Sequence, residues 1–129
     1  MLAACGRIGF DRPGTTEIWS ATRTSRTHPF SNLRHEVVAS SSSFDCCPHV
    51  LPGETQVAFT TQRAGGTKIF VADRMADGSL GTATLFALVN SAANELDLFS
   101  TPDGATIGVA SDRSQAGDYD LWLYERSCP

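Results

Sequence analysis

Lysine is almost absent from this chain. Lys68 is the only one among ten basic residues, set against 14 acidic ones in 129 residues, for a formal charge of −4. Nucleic acid and anionic membrane surfaces both select basic patches, so this balance argues against either as a general partner. No apolar run approaches the ~20 residues of a membrane-spanning helix, so no transmembrane segment is expected. No helix of useful length is expected either; Ala92 to Leu96 would form one turn at most. The four cysteines, Cys5, Cys46, Cys47 and Cys128, contain no C-x-x-C and match no zinc spacing. His28, His35 and His49 lie on different predicted elements, which makes a poor metal trio. There is no G-x-S-x-G for a nucleophilic serine. No glycine-rich phosphate loop precedes a helix. No catalytic residue, metal ligand or cofactor site is read from these residues, and an enzyme is not expected.

What is present is a motif repeated three times. The copies run from Arg7 to Arg23, from Gln56 to Arg74 and from Thr106 to Arg126. Each is a short apolar strand, a turn carrying Arg and Gly, and a second strand with a central aromatic residue. The aromatics Trp19, Phe70 and Trp122 stand 51 and 52 residues apart; the turn arginines Arg12, Arg63 and Arg113 stand 51 and 50 apart. A β-rich period near 50 residues signals a propeller or a related array. Asp103-Gly104 lies between apolar segments where a hairpin turn needs positive φ, and the stretches 64–66 and 114–118 serve a second hairpin in each repeat. The strands at Ile69–Ala72 and Leu121–Tyr124 are apolar on successive residues, the pattern of a strand covered on both faces. Strands are therefore expected near 7–11, 17–23, 33–39, 47–51, 56–61, 68–74, 84–89, 96–100, 106–111 and 119–125. The turn segments at 40–45 and 90–95 separate them at equivalent places. Trp19, Phe70 and Trp122 are expected in the core between neighbouring sheets.

The segment Ser100 to Leu123 resembles a blade of the WD40-like PD40 propeller family, the repeat of the TolB-like periplasmic propellers. Pro102-Asp103-Gly104, Ser111-Asp112-Arg113 and Asp120-Leu121-Trp122 match that pattern residue by residue. The middle copy departs from it, with Pro52-Gly53 for Pro-Asp-Gly and Thr61-Gln62-Arg63 for Ser-Asp-Arg. The first copy keeps Phe10-Asp11-Arg12-Pro13-Gly14 and Glu17-Ile18-Trp19. The resemblance implies an all-β partial propeller of four-stranded antiparallel blades: a half blade at 7–30 and blades at 31–79 and 80–129. It also implies a periplasmic or cell-envelope setting and a protein or glycan partner. Whole propellers use roughly four to eight blades. Two and a half blades are expected to expose apolar faces, and three arrangements would cover them. The chain is part of a longer reading frame, or it self-associates to complete a ring, or another protein completes the stack.

Leu2-Ala3-Ala4-Cys5-Gly6 resembles a bacterial lipobox, which makes Cys5 a candidate lipidation residue and residues 1–6 the remnant of a signal peptide. A working signal needs an apolar core of about 7–15 residues, far more than precedes Cys5, so the match is accidental or the true start lies upstream. Adjacent cysteines seldom bond to each other. A disulfide from Cys46 or Cys47 to Cys128 in an oxidising compartment and buried free thiols are the two expectations. Two carboxylate pairs are present, Glu95 with Asp97 and Asp118 with Asp120, and a glycosidase propeller places an acid and a base in its central channel, but hairpin aspartates ordinarily bond their own backbone. The recurring Arg12, Arg63 and Arg113 are the candidate partner-binding rim. Their alternative role is to pair with carboxylates or carbonyls of a neighbouring blade and set the blade spacing. The function expected is a non-catalytic binding module of the cell envelope; the alternative is the inert propeller of a larger glycoside hydrolase or peptidase.

Overall fold

The structure is a computed structural model that describes residues 2–4 and 16–126. Its described residues contain ten strands and no helix. They are β1 (Leu2–Ala4), β2 (Trp19–Thr22), β3 (Ser31–His35), β4 (Asp45–Val50) and β5 (Gln56–Thr61), followed by β6 (Lys68–Asp73), β7 (Thr84–Leu85), β8 (Glu95–Ser100), β9 (Thr106–Gln115) and β10 (Asp118–Glu125). They form three separate antiparallel sheets: β1-β2-β3, β4-β5-β6-β7 and β8-β9-β10. The all-β class is as expected.

Local chemistry explains the strands. β5 and β9 begin where Gly53 and Gly104 reverse the chain at φ 85° and 67°. In each turn an amide closes back three residues, Glu54 N–H to Leu51 O and Gly104 N–H to Thr101 O. β-Branched and aromatic residues then carry the extended backbone, as in Val57, Phe59, Thr60 and Thr61 of β5. The first strands of the middle and last sheets each carry a bulge, between Cys46 and His49 in β4 and between Leu96 and Phe99 in β8. Cys47 (φ 56°) and Asp97 (φ 51°) occupy left-handed backbone at these bulges.

Neighbouring sheets pack through two apolar layers. Ile18, Ala39, Phe59 and Ala72 fill the first, between the N-terminal and middle sheets. Leu51, Ala58, Ile69, Val89, Leu98 and Val109 fill the second, between the middle and C-terminal sheets. The positions correspond: Ile18 and Ile69 face the following sheet, while Phe59 and Val109 face the preceding one. At ~25 cal/mol per Å² of apolar surface, burial of this kind is the main favourable contribution to the stack.

Four expectations are corrected. First, the strand expected at 33–39 does not open the middle sheet; β3 closes the N-terminal sheet by pairing with β2, Trp19 opposite His35. The polar segment 40–44 is thus a crossing between sheets and not a hairpin. Second, the strands expected to run to 39 and 89 stop at His35 and Leu85. The following residues turn, through Ala39 N–H to Glu36 O and Val89 N–H to Phe86 O, and insert Ala39 and Val89 into the two cores. Third, Trp19 and Phe70 are only partly buried and Trp122 is exposed; the fully buried side chains are Ile18 and Ile69, the neighbours of the first two. Fourth, the strand expected at 84–89 does not open the last sheet; β7 pairs with β6 at the edge of the middle sheet, while Leu2–Ala4 pairs with β2 in the N-terminal one. The expected strand at 7–11 lies outside the described residues.

Candidate functional site

The turn arginines are built into the sheet stack. Arg63 donates from Nε to Thr61 Oγ1 (3.0 Å), from Nη1 to Val38 O (2.9 Å) and from Nη2 to Asp45 Oδ1 (3.2 Å). Arg113 repeats the device with Ser111 Oγ (2.9 Å), Val89 O (2.8 Å) and Glu95 Oε1 (3.4 Å). Each guanidinium therefore ties the first strand of its own sheet to the segment crossing from the sheet before. Asp45 and Glu95 are wholly buried, and burying a carboxylate is costly unless cations and hydrogen-bond donors surround it. Ser41 supplies Asp45 with its N–H and hydroxyl; Glu95 receives Lys68 Nζ (3.1 Å), Ser111 Oγ (3.1 Å) and the hydroxyl of Ser91.

The aromatic residues lie beneath these arginines. The Arg113 guanidinium sits 4.8 Å above the Trp122 ring, and Arg63 sits 5.5 Å from Phe70 and 5.2 Å from Phe59. A planar, weakly hydrated cation is well matched to an aromatic face. Phe70, which packs against the first core, and the exposed Trp122 each carry a guanidinium over the ring. Of the candidate rim, Arg63 and Arg113 have their donors engaged within the chain. Arg12 and the candidate lipidation residue Cys5 lie outside the described residues.

A second constellation was not legible in the sequence. Cys46 and Cys47 are joined to each other as a vicinal disulfide across a trans peptide, with Cα atoms 3.8 Å apart. This corrects the expectation of a bond to Cys128, itself outside the described residues, or of free thiols. Adjacent cysteines are brought together because the bulge holds Cys47 at positive φ. The Asp97 carboxylate completes a group whose ligand atoms lie within 4.8 Å of one another. Cys46 is buried, Cys47 half-buried and Asp97 exposed. Among the described residues, no other three His, Cys, Asp or Glu side chains converge in this way. The Asp97 N–H donates to Thr60 Oγ1 (3.3 Å) in the middle sheet, which fixes its position across the gap between sheets. The signal that could have found it is the period itself: Cys47 and Asp97 are 50 residues apart, the step of the repeat.

The remaining candidates are dispersed. Glu95 is committed to Arg113 and Lys68, whereas Asp97 faces the cysteines, so this carboxylate pair does not converge. Asp120 accepts from Ser114 Oγ (2.5 Å), and Asp118 is exposed at the β9–β10 turn. Asp112 is held below the usual carboxylate range by the N–H groups of Asn94 and Gly117 and by the Asn94 side chain. Asp103 is lowered by the Thr101 hydroxyl and the Ala105 N–H. His28 bonds Ser25 in a turn, and His35 stacks on Trp19 with ring centroids 4.9 Å apart. His49 Nε2 meets Ser100 Oγ at 2.8 Å and links β4 to β8; partial burial pushes its pKa down. No family model matches the chain, and no curated protein matches it.

Proposed function

We propose that this chain is a non-catalytic binding module of the cell envelope, a partial PD40/TolB-like propeller that engages a protein or glycan partner through its sheet stack and loops. The observation that carries the reading is the recurrence of one inter-sheet interface. Ile18 against Phe59 is repeated as Ile69 against Val109, each with its conserved geometry of turn arginine, strand-start carboxylate and crossing-segment carbonyl in the second and third repeats. Stacking by a constant step is the construction principle of propellers and related arrays.

The last sheet supports the binding role. Leu121 stands where Ile69 stands one repeat earlier, yet it is 62% exposed, and Leu123 is 54% exposed. Tyr124 packs into the second core and its hydroxyl donates to Val89 O, so alternation along β10 turns Leu121 and Leu123 to the opposite, uncovered face. A contiguous apolar face of this kind marks an interaction surface. By the logic of the repeat its occupant is another sheet of the same type, which a second copy of this chain carries. Light scattering of the purified chain over a range of concentrations, with circular dichroism on the same sample, tests the reading. A β-rich species that gains mass in discrete steps is expected; a folded monomer at every concentration would refute this use of the face.

A further inference from the structure

We infer that Cys46, Cys47 and Asp97 form a redox-gated site for a thiophilic divalent cation of the zinc and cadmium class. The inference is independent of the proposed binding role. Two sulfurs and one carboxylate oxygen within 4.8 Å of one another have the reach of ligands around a single ion. Thiolate sulfur selects zinc-class ions over magnesium or calcium. Three protein donors leave a tetrahedral ion one open position, and the exposure of Asp97 puts that position toward solvent.

The backbone is prepared for this. Cys47 and Asp97 are non-glycine residues in left-handed conformation at corresponding bulges of β4 and β8. Such conformations are unfavourable for non-glycine residues and persist where the surroundings over-determine them. Here they turn a sulfur of one sheet and a carboxylate of the next toward the same point. Beside it, His49 to Ser100 ties β4 to β8, and Asp97 N–H to Thr60 Oγ1 ties β8 to β5.

In the disulfide form neither sulfur is a thiolate, so the site is closed. A dithiol reductant opens it: the disulfide takes two electrons and two protons to give two thiols, and the reductant becomes its own disulfide. Binding of the cation then displaces the two thiol protons to solvent and forms two metal–sulfur bonds. Because the ligands come from adjacent sheets, the bound ion cross-links the middle and C-terminal sheets and stabilises the folded chain by mass action.

The test uses the full chain with Cys5→Ser and Cys128→Ser, reduced with a phosphine, freed of reductant under anaerobic conditions and titrated with cadmium. One ion per chain is expected, read from the thiolate-to-cadmium ultraviolet band and from a rise in melting temperature. The air-oxidised form of the same protein should give neither signal. Asp97→Asn, at an exposed position, should remain folded and bind at least about tenfold more weakly, since loss of even a group that only orients a ligand costs about 10–100-fold. Failure of the reduced protein to give the band would overturn the inference. So would equal binding by the oxidised form, or wild-type affinity in Asp97→Asn.

Discussion

Arg63 and Arg113 make corresponding contacts, with Arg113 adding a bond to the Tyr124 hydroxyl, but leave different carboxylate surroundings when removed. Without Arg63, the buried Asp45 keeps hydrogen bonds from Ser41 but loses its salt-bridge cation. Without Arg113, Glu95 still has Lys68 at 3.1 Å. Removing one partner of a buried ion pair costs about 3–5 kcal/mol when the other charge is stranded. Arg63→Ala should therefore approach that loss in denaturant unfolding, and Arg113→Ala should lose clearly less. Adding Lys68→Ala to Arg113→Ala should close the difference; equal losses in the two single variants would discredit the account. His49 gives a second residue-level expectation. Its folded pKa lies below histidine's ordinary value of about 6.5. The unfolded chain then takes up the proton first, so stability is full above that value and falls as pH drops through the window beneath it. His49→Gln should flatten the decline between about pH 7 and pH 5. An unchanged slope in unfolding free energy would assign the decline to other groups. Asp103 and Asp112, both depressed, contribute stability that is lost only at lower pH, below the ordinary carboxylate range.

At the level of elements, the last sheet depends on a glycine that no turn requires. Gly108 lies in mid-strand opposite Phe99, and a Cβ added there would overlap the Phe99 ring. The ring lies flat on the strand because position 108 is bare. Gly108→Ala should displace it and cost about 1–3 kcal/mol, the range for overpacking. The double variant Gly108→Ala/Phe99→Ala should lose less than the sum of the two single changes; strict additivity in the cycle would contradict the contact. The strands themselves were readable from turn glycines and apolar runs, and nine of the expected positions fall on described strands within a few residues. Their grouping was not readable. The segments 40–44 and 90–94 look like turns, and only hydrogen-bond pairing tells a hairpin from a crossing between sheets. The same limit applies to 36–39 and 86–89, where apolar residues insert into a core from a turn and not from a strand.

For the whole molecule, the proposed association rests on the exposed Leu121 and Leu123 of β10. Leu121→Asp/Leu123→Asp replaces exposed side chains on the face turned away from the core, so it should change unfolding free energy by little. Exposed sites away from special features ordinarily shift stability by no more than about 0.5 kcal/mol. The variant should abolish concentration-dependent association and binding of a hydrophobic dye. A variant that still associates like the parent would move the interface elsewhere. Phe59→Ala, in contrast, acts inside the stack: its side chain is fully buried between two sheets, and the loss should be about 3–5 kcal/mol by thermal or denaturant unfolding.

The sequence by itself determined the all-β character, the period near 50 residues, the hairpin glycines and the repeated arginine, because each is a local signal or a spacing along one chain. It also raised pairing of the turn arginines with carboxylates or carbonyls of a neighbouring blade, since recurrence at one turn implies a recurring partner; the carboxylates they meet, Asp45 and Glu95, belong to the arginine's own sheet. Only the tertiary structure decided which strands share a sheet, which residue of each Ile-aromatic pair is buried, and that Asp45 and Glu95 are the carboxylates beneath the arginines. It alone paired Cys46 with Cys47 and placed Asp97 beside them. Those facts depend on how far one sheet stands from the next and on a left-handed bulge in each first strand, which are distances and angles between segments and leave no mark on neighbouring letters of the chain.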